Sequence, residues 1–209
     1  MEKLTKEELI KRFRTEEILE ATRKVISSYG FEGITLEKVA EEAGISKGTI
    51  YLYFENKEEL MISSIEYGLD KLIEELENCI YGEIDILNKI RKIISTKLKY
   101  IESHRDFVKA FIAEMYGQIL VSNKDRLMRI RNKRDHFYKV LTDIIKSGID
   151  SGVFRKVDPY KGAFSLIELI KGIGIKRIIH NSEEDLDKDI DFIMDIFLKG
   201  IEKERSKNE

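Results

Sequence analysis

The chain has 209 residues, and its 37 Lys and Arg against 39 Asp and Glu leave a net charge of −2. That balance excludes a polybasic nucleic-acid coat, so any DNA contact must come from a few well-placed groups. A 42% hydrophobic content excludes wholesale disorder, and one cysteine, Cys79, excludes an internal disulfide.

A helical period runs through nearly the whole sequence, and no strand alternation or internal repeat interrupts it. The first predicted helix carries Leu9, Phe13, Ile18, Leu19, Val25 and Ile26, and stops at Tyr29-Gly30. Thr35 is a good N-cap for a short helix through Glu42, and Ser46 caps another that reaches about Tyr53. Between them Gly44 suits a turn position with positive φ. Asn56 with Glu59 reads as a capping box opening a long helix to about Gly82. Helices are then predicted from Ile84 to Ser103, Asp106 to Leu120 and Lys124 to Ser151. Asp158-Pro159 starts another, broken at Asn181-Ser182, and the last runs from Glu184 to Glu202. The expected fold is all-α with about nine helices. Residues 1–55 would form a helix-turn-helix DNA-binding domain and residues 56–209 a larger helical domain for ligand binding and dimerisation.

No apolar run approaches the ~18 residues of a membrane span, and no signal peptide is visible, so a soluble cytoplasmic protein is expected, with no membrane partner. His104, His136 and His180 stand singly, without zinc spacing, and no cofactor motif is present. Paired carboxylates such as Glu41-Glu42 fit solvated helix faces. With no nucleophile triad and no phosphate-cradling loop, an enzyme is the poorer reading.

The chemistry concentrates in residues 35–54. Val39, Ile45 and Ile50 would hold two short helices at a fixed angle, leaving Ser46, Lys47, Gly48, Thr49, Tyr51 and Tyr53 facing outward. Hydroxyls, an ammonium and free amides at a helix start suit phosphate oxygens. The run Ala43-Gly44-Ile45-Ser46-Lys47-Gly48-Thr49-Ile50-Tyr51-Leu52-Tyr53-Phe54, with Lys57-Glu58-Glu59-Leu60 and the Gly30-Phe31 turn, resembles the tetracycline-repressor (TetR) family of transcriptional regulators. The resemblance implies a homodimer that reads a palindromic double-stranded operator and releases it on binding a small-molecule effector. Carried over by position, the DNA-facing set is Thr35, Ser46, Lys47, Gly48, Thr49, Tyr51, Leu52, Tyr53 and Lys57. Residues 1–57 hold ten Lys and Arg against eleven Asp and Glu, so DNA binding should be modest and strongly salt-dependent.

In the larger block the segment 163–179 is apolar on almost every side, and the last helix has a broad apolar face. Ile167, Ile170, Gly174, Ile178, Ile190, Ile193 and Phe197 are therefore expected at a two-fold dimer interface, with Gly172 and Gly174 allowing close helix approach. Phe107, Phe111, Met115, Tyr116, Phe137 and Phe164 are candidates to line an effector cavity for an apolar or aromatic molecule, with His104, His136 and Glu168 as polar anchors. Residues 124–139 carry seven Lys and Arg against two Asp, a solvated face or a site for an anionic ligand. The second functional reading is a helical interaction or ligand-binding protein that binds no operator.

Overall fold

The computed structural model describes residues 5–83, 85–115 and 124–201, and the side chains of all these except 115 and 124–127. The expected all-α fold is found: nine helices form the elements among the described residues. They are α1 (Lys6–Tyr29), α2 (Leu36–Glu42), α3 (Lys47–Ile50), α4 (Lys57–Ile80), α5 (Ile86–Ser103), α6 (Arg105–Met115), α7 (Lys124–Asp150), α8 (Pro159–Ile179) and α9 (Leu186–Ile201).

Local chemistry sets most of these ends. Thr5 caps α1 in a reciprocal box with Glu8, and Thr35, Ser46 and Asp158 each accept an amide of the helix they open. The Asn56 side chain likewise accepts from Glu59 N at 2.8 Å. The α2–α3 turn passes through Gly44 at φ 65°, where an L side chain would be strained. α3 is markedly shorter than expected. α3 closes at Ile50, and the chain tightens into a turn in which Leu52 N and Tyr53 N bond the carbonyls three residues back, Thr49 O and Ile50 O.

The packing divides into two compact units. One comprises residues 1–70 and 104–131, the other 71–103 and 132–209. The first is built on Ile18, Ile26, Ile34, Val39, Ile50, Phe54 and Leu60, all buried. α6 belongs to it: Phe107 meets Phe31 with ring centroids 6.2 Å apart, and the Arg23 guanidinium lies 3.9 Å over the Phe107 ring. Arg129 adds two bridges to α4, to Glu59 at 3.2 Å and Glu66 at 2.9 Å.

The second unit packs α5, α7, α8 and α9 around Ile93, Ile94, Leu141, Ile145, Leu166, Ile170 and Ile193. Here the expected dimer residues need correcting. Ile167, Ile170, Ile178, Ile190, Ile193 and Phe197 are all buried within the chain's own core. Gly174 is buried too, because α5 presses on it; a Cβ there would meet Ile101 Cδ1 at 2.6 Å. The close approach foreseen for this glycine is thus made inside the unit. The large apolar or aromatic side chains that α8 and α9 leave exposed are Tyr160, Phe164, Ile179, Phe192 and Ile196.

Candidate nucleic-acid interface

α2, the Gly44 turn and α3 are held by the buried faces of Leu36, Val39, Ala40 and Ile50. That packing decides which side chains remain outside. Thr35, Ser46, Lys47, Gly48, Tyr51 and Leu52 are exposed, while Thr49, Tyr53 and Lys57 are half-buried. The nine expected contact residues therefore all retain accessible surface. Leu52 is 77% exposed, which nothing in the headpiece core explains.

Several of these groups are already engaged. Ser46 Oγ accepts from Thr49 N at 3.1 Å and lies 2.9 Å from Thr49 Oγ1. Thr35 Oγ1 accepts from Lys38 N at 3.3 Å. Lys57 Nζ reaches the Ile34 carbonyl at 3.4 Å, so its ammonium is tethered beside the α2 start.

The feature sequence reasoning missed is Glu37. Its carboxylate takes a hydrogen bond from Lys47 Nζ at 2.6 Å, within the surface the helix-turn-helix exposes. That bond holds the Glu37 carboxyl below its ordinary range and pushes the Lys47 ammonium above its own. The signal in the sequence is an acidic residue in the first turn of α2, a position for which the helix dipole alone is a sufficient reason.

The expected effector residues fall in different units. His104 is half-buried in the first, as is Phe111. Phe107 is buried against Phe31 and Arg23, which makes it core of that unit. The side chain of Met115 and all of Tyr116 lie outside the described residues, as do the side chains of Lys124 and Arg126 in the basic run. In the second unit the structure brings together Phe137, Phe164 and Glu168. Phe164 stacks on Tyr138 at 5.9 Å, and Glu168 accepts from Lys171 at 2.7 Å. Lys97 Nζ approaches the Phe137 ring to 5.8 Å, and its loss of water pushes its pKa down to about 8 against the pull of Glu168. His136 is exposed and bonds Glu77 at 2.7 Å, away from that grouping.

Among the described residues no helix is long and apolar enough to cross a membrane.

Comparison with known proteins supports the geometry. The family model for bacterial regulatory proteins of the tetR family matches residues 18–63, and a tetracyclin repressor-like C-terminal domain matches residues 83–174. The chain is 32% identical over 160 residues to the uncharacterized HTH-type transcriptional regulator YfiR of Bacillus subtilis, covering 75% of each chain. It is 27% identical to the fatty acid metabolism regulator protein of the same organism, over 70% of this chain and 73% of the relative. The solved structure of the transcriptional regulator FadR from Bacillus subtilis in complex with stearoyl-CoA shares the fold, with a TM-score of 0.78 at 23% identity over 88% of this chain and 98% of that one. Two successive family matches and a regulator relative matched over three quarters of each chain place the protein: it belongs to the tetR family of bacterial regulatory proteins and is a ligand-responsive, DNA-binding transcriptional regulator.

Proposed function

We propose that the protein is a cytoplasmic homodimeric repressor, without catalytic function, that binds a palindromic operator and lets it go when an amphiphilic effector binds. In this reading residues 1–55 read the DNA and residues 56–209 dimerise and sense the ligand. The observation that carries it is the exposed set on and around α3, from Ser46 to Tyr53, framed by Thr35 and Lys57 on a buried helix-turn-helix scaffold. Lys47, Thr49 and Leu52 would approach bases, while Tyr53 and Lys57 would meet the sugar-phosphate backbone. Two such headpieces would enter successive major grooves ~34–36 Å apart.

The dimer would use other apolar side chains that α8 and α9 leave open, Ile179, Phe192 and Ile196, in a two-fold arrangement. The likeness to a fatty acid metabolism regulator and to a fold neighbour carrying stearoyl-CoA supports an apolar chain with an anionic head group as effector. Phe137, Tyr138 and Phe164 would receive the chain, and Lys97 with Arg134 the head group. α4 is one helix with residues in both units, and a change in its course on ligand binding would be the route to the headpiece. The ligand shifts this equilibrium only by its differential affinity, typically ~1–3 kcal/mol.

Selection from a pool of random duplexes tests the reading. The expected result is enrichment of inverted repeats, bound with log affinity that falls linearly with log salt. Tyr53→Ala or Lys47→Ala should weaken that binding at least about tenfold and leave the oligomeric state unchanged. Absence of enrichment would return the protein to the class of ligand-binding proteins without an operator.

A further inference from the structure

The exposed surface at the end of α3 continues onto the first turns of α1. Leu52 and Tyr53 line one groove with Glu7, Ile10 and Lys11, and all five residues belong to the first unit. Positions 7, 10 and 11 are three and four residues apart, so a single face of α1 supplies that side of the groove. Two residues of the expected DNA-facing set thus share a groove with a helix that contributes none of that set.

Lys11 is the cation of this groove. It is exposed, and among the described residues its ammonium enters no hydrogen bond or ion pair. Its neighbours on α1 are committed, Arg12 to Glu16 at 2.9 Å and Arg14 to Glu17 at 2.8 Å. A phosphate can therefore take Lys11 without displacing a carboxylate, which it cannot do at Lys47. Of the two acids in the first turn, Glu8 is turned back into the cap, accepting from Thr5 N at 2.7 Å and Thr5 Oγ1 at 2.9 Å. Glu7 lines the groove itself and opposes an anion there.

We propose that Lys11 is a further DNA contact, whose ammonium takes a phosphate of the strand that Tyr53 meets while Ile10 covers the adjoining sugar. The inference rests on the proposed reading in which Tyr53 meets the sugar-phosphate backbone, and it extends that interface from the helix-turn-helix to α1. Continuity of the groove with Leu52 and Tyr53 and the uncommitted positive charge beside them select DNA as the occupant. A phosphate contact carries no sequence information, so Lys11 holds register and orientation and does not read bases. Glu7, one turn earlier on the same face, limits what the contact contributes, so neutralising each of the two residues moves affinity in opposite directions.

Anisotropy titration of the full chain at three salt concentrations, with a duplex selected by the wild type and a scrambled one, tests this. Lys11→Gln should weaken binding about three- to tenfold at low salt, equally for both duplexes, and lower the slope of log affinity against log salt by about one. Lys11→Arg should keep the wild-type slope, and Glu7→Gln should raise affinity. Helicity by circular dichroism should not change, because neither side chain is buried. Affinity and slope unchanged in Lys11→Gln, where Tyr53→Ala does weaken binding, overturn the inference and leave the operator reading standing. A loss confined to the selected duplex would assign Lys11 to a base edge and equally overturn it. A wild type that selects no duplex removes both readings together.

Discussion

Arg177 of α8 donates from Nη1 to Asp189 Oδ2 of α9 at 2.6 Å, and both residues are buried. The same guanidinium donates through Nε to Glu102 of α5 at 3.1 Å and through Nη2 to the Glu184 carbonyl at 2.8 Å. One cation thus joins three helices of the second unit. Removing one member of a buried pair leaves the other charged and without its partner, which costs about 3–5 kcal/mol. Arg177→Met should therefore lower the unfolding midpoint sharply. Arg177→Met with Asp189→Leu should recover most of that loss, because no buried charge is then stranded. Denaturant unfolding of the wild type, Arg177→Met, Asp189→Leu and the double variant decides the matter: single losses that simply add in the double variant would show that the pair is not coupled.

In the proposed reading Glu37 would compete with DNA for Lys47. In the free protein their 2.6 Å hydrogen bond neutralises one of the few cations on the α2–α3 surface. A phosphate or base that takes Lys47 must first displace that carboxylate. Glu37→Gln should accordingly raise DNA affinity several-fold and steepen the salt dependence by up to about one released counterion. Anisotropy titrations with a selected duplex at three salt concentrations check this. Unchanged affinity would mean that Lys47 makes no ionic contact with DNA.

What was legible in the sequence is what is local. Thr35, Ser46, Asn56 and Asp158 sit at helix starts because a side-chain oxygen within three residues satisfies an end amide, and that requirement is written in adjacent letters. Gly44 takes the positive φ expected of its turn. What covers an apolar face is not written locally. The stripe containing Ile170 and Ile178 looked suited to a partner subunit, yet α5 and α9 of the same chain cover it. Neither periodicity nor composition distinguishes the two, since both bury the same side chains. Phe107 likewise looked like a cavity aromatic, and only its meeting with Phe31, 76 positions earlier, makes it core.

That meeting makes Phe107 a test of the first unit. The ring is covered by Phe31 on one side and by Arg23 at 3.9 Å on another, and Arg23 Nη1 also reaches the Ser64 carbonyl at 3.3 Å. Phe107→Ala should destabilise this unit by about 3–5 kcal/mol, counting the lost burial and the cavity left behind. Hydrogen exchange should show faster opening of the α1 and α4 amides, and Phe107→Leu should fall between the variant and the wild type. Normal exchange with a lost effector response would instead mark Phe107 as part of a ligand cavity.

Lys97 ties stability to pH. Removal from water pushes its pKa down to about 8 from an ordinary value near 10.5, with Lys171 and Arg134 adding repulsion that Glu168 opposes. Between those two values the unfolded chain holds a proton that the folded chain has released. Unfolding then takes up protons, so stability rises as pH rises from about 8 to about 10.5 and is lower, by the full penalty, below that window. Lys97→Met keeps the stem's contact with Phe137 and removes the ammonium. It should raise the melting temperature at pH 7 and flatten this rise, as read from thermal unfolding at pH 7, 8.5 and 10. An anionic effector at this grouping supplies the charge that Lys97 lacks a full complement for, so saturating ligand should raise the wild-type midpoint more at pH 7 than at pH 10. In Lys97→Met that pH-dependent part of the ligand's effect should vanish. A wild-type profile already flat across the window would mean that the ammonium is solvated and carries no penalty for an effector to relieve.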